Sequence, residues 1–225
     1  AKTRMLLIGC ATAGAMSSMF KAPVAAIVFA VEIFSLDLVF TSLVPLLLAS
    51  VAAVITSYFF RGTDVLFSFE LLDAWRVKDI VFYVFLGVAT GIASVYFSKM
   101  YFLITRFFAW FSNAYVKIGI AALAIGLMLY LFPPLYGEGY GLINNLLNGE
   151  TEAALNGIQY QIDFNNVWIV IAILLIIAVF KAIAMTTTFA AGGVGGIFIP
   201  TLFMGSALGN SVAKVINQFG FEVSE

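Results

Sequence analysis

"AAGGVGGIFIPTLFMG", residues Ala190 to Gly205, puts four glycines into five positions, follows them with Ile197, Phe198 and Ile199, and then meets Pro200 and a helical run. The apolar stretches on either side, Val167–Thr188 and Ile197–Phe219, are each about the 20 residues that a helix needs to cross a bilayer. The question set by this stretch is why so apolar a chain loosens its backbone between them. Glycine admits conformations that a side chain forbids and lets a ligand approach main-chain amides. Ile197 and Phe198 then begin a helix, whose first N–H groups have no intrahelical partner and whose aligned peptide dipoles place about half a positive charge at that end. Such a helix start attracts an anion. Pro200 suits the first turn, because the N–H it lacks would be unpaired there anyway.

The composition sets the solvent. Hydrophobic residues make up 63% of the chain and charged residues 10%, histidine is absent, and the mean hydropathy is +1.07. A soluble domain has about 45–50% apolar and about 25% charged residues, so this is a membrane protein. A net charge of −1 with scattered basic residues excludes nucleic acid as a partner. Cys10 alone forms no internal disulfide. The opening "AKTRMLLIGCATAGAM" leads straight into further membrane sequence without a cleavage site, which reads as part of a longer chain rather than a signal peptide.

Seven apolar segments follow one another, and few have the standard length. Leu6–Phe20, Ala22–Phe34 and Ile118–Phe132 are short; Leu38–Phe60 and Val167–Thr188 are full spans. Ile80 to about Phe111 is longer than a perpendicular crossing needs and is expected to tilt or bend. Pro133-Pro134 ends the fifth segment. Unpaired backbone groups in lipid cost several kcal/mol each, so short segments must be buried against protein. Apolar segments broken by Gly and Pro point to a transporter or channel whose site lies at helix ends inside the bilayer. The pairs Gly87/Gly91 and Gly205/Gly209 read as helix-packing faces. The 133–166 connection carries Glu138, Glu150, Glu152 and Asp163 without Lys or Arg, while Lys2, Arg4, Arg76 and Lys78 flank other segments, so 133–166 is expected to face away from the cytoplasm. No internal repeat or low-complexity linker is visible.

For the glycine stretch itself, a dinucleotide fingerprint is excluded, since Phe198 stands where the third glycine belongs and no βαβ context exists. Two readings remain open at this point: tight helix crossing, and an anion site walled by Ile197 and Phe198 with only backbone donors. The second suits a weakly basic monovalent anion that must also leave; a phosphate site would recruit Arg or Lys, and none stands near in sequence. One helix terminus supplies about 0.3–2 kcal/mol and each amide bond to a charge about 1.5–3 kcal/mol, against tens of kcal/mol for a bare ion in a low dielectric. Several helix ends must therefore converge, and this chain supplies only part of its site.

At these residues the sequence resembles the CLC family of voltage-gated chloride channels and chloride/proton exchangers. "GVGGIFIPTLFMGSALG" (Gly193–Gly209) is similar to the family's Gly-x-Gly-Gly-[IV]-Phe-x-Pro filter segment, "MFKAPVAAIVFAVEIF" (Met19–Phe34) resembles its Phe-Asn-Ala-Pro stretch with a later glutamate, and "GEGYG" (Gly137–Gly141) adds a weaker match. The resemblance implies an all-α membrane protein of tilted, broken and re-entrant helices in the CLC inverted-repeat architecture, with only the middle part present. Residues 1–225 would form a single membrane-embedded domain fragment, the first inverted half ending within about 1–60 and the second beginning within about 78–225. It further implies that the amides of Ile197 and Phe198 coordinate the permeating anion, with Gly195 and Gly196 as the supporting turn. The family's early Gly-Ser-Gly-x-Pro turn, its Gly-[RK]-Glu-Gly-Pro segment and its late tyrosine are not found here, which agrees with a partial site.

Glu32 matches the family's helix-end glutamate and is a possible structural or proton-pathway acid; an acid in a membrane segment is functional by default. Ile33 stands where several proton-coupled exchangers carry a second glutamate, which argues against strict proton coupling. Lys21 replaces the family's usual Asn, and its long stem can reach water. The resemblance also implies a homodimer, with Ala22–Phe60 matching the family's interface segments, and a bacterial inner membrane as the location. The Phe-rich Phe102–Phe111 reads as lipid-facing. The partners expected are chloride or a similar monovalent anion and membrane lipid. A membrane-embedded enzyme would need a nucleophile or metal constellation, and none can be assembled, nor is a cofactor called for. The alternative function is a cation or neutral-solute secondary transporter with broken helices; it would favour carboxylates near the glycines, and Trp168–Asn210 contains no Asp or Glu.

Overall fold

The computed structural model describes residues 2–36, 39–67, 77–160 and 162–221; the side chains of Lys2, Phe40 and Lys78 are outside that description. Leu38, at the expected start of the third segment, and Arg76, one of the basic residues used for orientation, also lie outside the described residues. The described residues are helical and contain no strand. The chain divides into two compact units, Ala1–Ser68 and Phe69–Glu225.

The first unit is a three-helix cluster of α1 (Lys2–Phe20), α2 (Pro23–Phe34) and α3 (Phe40–Arg61). Small residues decide how α1 meets α3. Ala13, Ser17 and Ser50 are fully buried, and a Cβ on Gly14 would stand 3.5 Å from the Ala53 Cβ, so the two backbones approach closely. Hydroxyls cross between the helices: Ser17 donates to the Ser50 carbonyl at 2.8 Å, and Ser57 to the Ser18 carbonyl at 2.9 Å. Ala13, Ala30 and Leu46 form the core, with Leu6, Cys10 and Ile27 against it. Pro23 at the first turn of α2 stops α1 from continuing. Lys21, at the break, takes a left-handed φ of 54°. Its Nζ donates to the Gly62 carbonyl at the end of α3 and lies 4.3 Å from the centre of the Tyr58 ring. Lys21 therefore binds back to the protein, its ammonium meeting the negative carbonyl end of α3. Val24, Val28, Leu47, Leu48, Ile55 and Phe59 leave an exposed apolar face on α2 and α3.

The second unit holds α4 (Ile80–Ala109), α5 (Ala114–Leu131), α6 (Tyr140–Leu147), α7 (Thr151–Ala154), α8 (Val167–Ala190) and α9 (Phe198–Gln218), with 3-10 turns at Val77–Asp79 and Pro133–Leu135. Helix α8 is the centre. Its buried positions, among them Val170, Leu174, Ile177, Ala178, Lys181 and Met185, pack against α9, α4 and α5. Helix α9 answers with Ile199, Phe203, Ala207 and Asn210, a stripe at helical spacing. Tyr96 on α4 donates to the Val179 carbonyl at 3.1 Å, and Phe132 stacks on Phe180. Four helices, α3, α4, α5 and α8, are long and apolar enough to cross a membrane. Most of α4 is exposed, including Phe102 and Phe107, whereas Phe108 within the expected lipid-facing stretch is buried.

The helices differ in extent from the apolar segments. The fifth is not short: α5 runs 18 residues from Ala114, because the Asn113 side chain accepts the Tyr115 amide at 2.9 Å and caps a turn whose Tyr115 and Lys117 hide it from a count of apolar residues. The first is 19 residues long, extending through Arg4 at its start. The 133–166 connection is not a plain loop: Leu142, Ile143 and Leu146 give α6 one apolar face, which packs on α9. Gly87, Gly91, Gly205 and Gly209 have no neighbour within 4 Å of where a Cβ would stand, so among the described residues they make no close crossing.

Candidate anion site at the start of α9

Helix α8 ends at Ala190, and the chain turns through Gly192 at φ 98°. The Gly193 amide donates to the Thr188 carbonyl at 2.9 Å, and a Cβ on Gly193 would lie 2.7 Å from Thr188 Cγ2. These two glycines are required by the turn itself. Gly195 and Gly196 are different: a Cβ on Gly195 would meet the Phe189 ring at an ordinary 3.8 Å, and one on Gly196 would meet nothing within 4 Å. Nothing among the described residues demands glycine at either position.

Ile197 is the N-cap of α9 with φ −84° and ψ −28°, and its carbonyl accepts the Thr201 amide at 3.1 Å. No side chain caps this end and no acid stands in its first turn. Among the described residues the Ile197 N–H has no acceptor. The segment lies open on this chain: Val194 is 99% exposed and Ile197 47%, while Ile199 and Pro200 are buried. The structure thus brings Gly195, Gly196, Ile197 and Phe198 together at one exposed helix start. Among the described residues, nothing encloses the glycines of this segment, which stay exposed. Glu32 belongs to the first unit, exposed in the last turn of α2, with its carbonyl accepting the Ser35 amide at 3.4 Å; Ile33 beside it is also exposed.

The sequence reading gave no role to Lys181. It sits in the most apolar of the four spans and is 3% exposed. Its Nζ donates to the carbonyls of Leu135 (3.1 Å) and Gly137 (2.8 Å) and lies 4.6 Å from the centre of the Phe203 ring on α9. Two charge-assisted bonds and an aromatic face together offset the burial of an ammonium that water no longer solvates. Glu138, exposed in the same turn, is the carboxylate whose field reaches it. Gly139 at φ 92° closes the turn over the Phe203 ring, where a Cβ would come within 2.3 Å of Cδ2. The signal was present in the sequence, since one lysine inside an otherwise apolar span has to be partnered.

The stretch whose sequence resembles the filter segment forms a helix start without capping side chain or acid, reached through a turn that needs Gly192 and Gly193. The family model described as "Voltage gated chloride channel" matches residues 1–224. The chain belongs to that voltage-gated chloride channel family. Among its relatives, the putative chloride channel protein ClcB-like of Ralstonia nicotianae is 28% identical over 91% of this chain and 44% of its own length. The voltage-gated ClC-type chloride channel ClcB of Citrobacter koseri is 24% identical over 91% of this chain and 45% of its own, and that of Salmonella typhimurium 25% over 93% and 46%. The chain spans just under half the length of these relatives. No solved structure matches. Membership in the chloride channel family, with four helices of membrane-crossing length and apolarity, makes this an integral membrane protein.

Proposed function

We propose that the protein carries a monovalent anion, chloride first, across a bacterial inner membrane, and that this chain contributes one of several helix ends that hold the anion by backbone amides. The observation that carries the reading is the Ile197 N–H, which has no acceptor among the described residues at a helix start free of acid and of any capping side chain. Membership in the chloride channel family, and relatives whose names describe chloride channels, support it. The energy argument asks for further helix ends, and the relatives are more than twice the length of this chain. Gly195 and Gly196 serve the ion rather than the fold in this reading, since the turn leaves room for a side chain at both. The protein performs no chemistry on the ion and works as a homodimer, with the exposed face of α2 and α3 as the contact surface. Ile33 beside Glu32 favours transport that is not strictly proton-coupled.

The test is chloride efflux from liposomes containing the full-length protein, with Gly195→Val and Gly196→Val as variants. Both should fold, because the space for a side chain is present, and both should lose most of the flux. Unchanged flux in both would count against the site. Stoichiometric proton movement with chloride would overturn the inference from Ile33.

A further inference from the structure

Lys181 is the one buried charged side chain among the described residues, and it is clamped against α9, the helix that carries the candidate anion site. The clamp fixes its position well: two carbonyls from the 135–137 turn accept hydrogen bonds from two of its N–H groups, and the Phe203 ring covers it. Phe203 comes five residues after Phe198 on the same helix. At 1.5 Å per residue the ammonium therefore lies on the order of 10 Å from the first turn of α9. A unit charge at that distance, in an effective dielectric of about 20, changes the affinity for a monovalent anion by roughly tenfold. A neutral donor such as glutamine would tie the same turn without that field.

We propose that Lys181 is a positioning residue whose fixed charge raises anion occupancy at the N-terminus of α9. This rests on the anion reading above. The neighbouring residue facing it that carries opposite charge is Glu138, which lowers the net field and is partly screened by solvent. Because a field at this range acts on charge and not on ion size, it strengthens chloride and bromide by the same factor. A lysine that merely shaped the helix would alter the ratio between them when replaced.

The experiment is calorimetric titration of the full-length protein in detergent with chloride and with bromide. Lys181→Arg keeps the charge and should bind both halides within about twofold of wild type. Lys181→Gln keeps a donor for the carbonyls and should bind both roughly tenfold more weakly with their ratio unchanged. Glu138→Gln, on an exposed side chain, should tighten both by about twofold. If Lys181→Gln binds like Lys181→Arg, or the halide ratio shifts, the proposal falls. If Lys181→Gln does not fold, Glu138→Gln decides, and unchanged affinity there overturns it. Wild type that binds no halide brings down the anion reading itself, whereas wild type that binds halide beside an unaffected Lys181→Gln brings down only the role of Lys181.

Discussion

Replacing Ile197 by proline removes one amide hydrogen and disturbs little else. The φ of −84° is close to the value of about −65° that proline imposes, and the carbonyl still accepts the Thr201 amide. No protein hydrogen bond is lost, because the Ile197 N–H has no acceptor among the described residues. The residue that proline would restrict from behind is Gly196, the most permissive choice. If that amide binds the anion, its removal costs a charge-assisted hydrogen bond of about 1.5–3 kcal/mol, or roughly 10- to 150-fold in the chloride dissociation constant. The assay is chloride titration of the full-length protein, with thermal melting on the same samples and Ile197→Val as the variant that keeps the amide. Melting should be close to wild type in both, and only the proline variant should lose affinity. A folded Ile197→Pro that binds chloride as tightly as Ile197→Val would refute the reasoning, since it would show that this hydrogen does not face the ion.

Gly139→Ala should destabilise the second unit: a left-handed φ of 92° costs a non-glycine residue about 1–2 kcal/mol, and the new Cβ would sit 2.3 Å from Phe203 Cδ2. A melting temperature equal to wild type would show that the turn is not held against Phe203. Burial pushes the Tyr140 phenol above its ordinary value, and the Glu138 carboxylate pushes it further. The fold favours the neutral phenol, so its contribution to stability is present below about pH 10 and lost as pH rises through the folded value. Difference absorbance titration against Tyr140→Phe should place the midpoint above 10, and Glu138→Gln should return it only part of the way; a midpoint at or below 10 would contradict the burial.

The helix start at Ile197 was legible because glycine and proline act through the backbone of their own segment. Gly192 and Gly193 fix the turn, Pro200 fits the first helical turn, and no distant residue has to be known to see either. Ile197, expected as one wall of the site, is half exposed at this helix start. Segment lengths were read less well where polar residues lie inside helices. Lys117 in α5 and Arg4 in α1 shortened the apolar runs without shortening the helices, since a helix is ended by caps and breakers and not by a charge that can lie on its surface. Helix α6 was passed over because an eight-residue helix declares itself only by a one-sided pattern, Leu142, Ile143 and Leu146, set among loop-forming Gly and Asn.

Lys181 shows where local reading stops. Its position in an apolar span announces that a partner exists, but the partners lie 46 and 44 residues away in the chain and are carbonyl oxygens, which every residue has. No side-chain pattern marks the Leu135 and Gly137 carbonyls as acceptors. They are turned toward the ammonium because Pro133-Pro134 forces a 3-10 turn and Gly137 and Gly139 take positive φ values. The motif "GEGYG" was therefore read only as a weaker family match and missed as a surface that binds the ammonium. Backbone conformation set by glycine operates at both places: at the start of α9 the turn through Gly192 and Gly193 leads to the Ile197 N–H, where we propose the anion, and at the 135–139 turn Gly137 and Gly139 help present oxygens to the Lys181 ammonium.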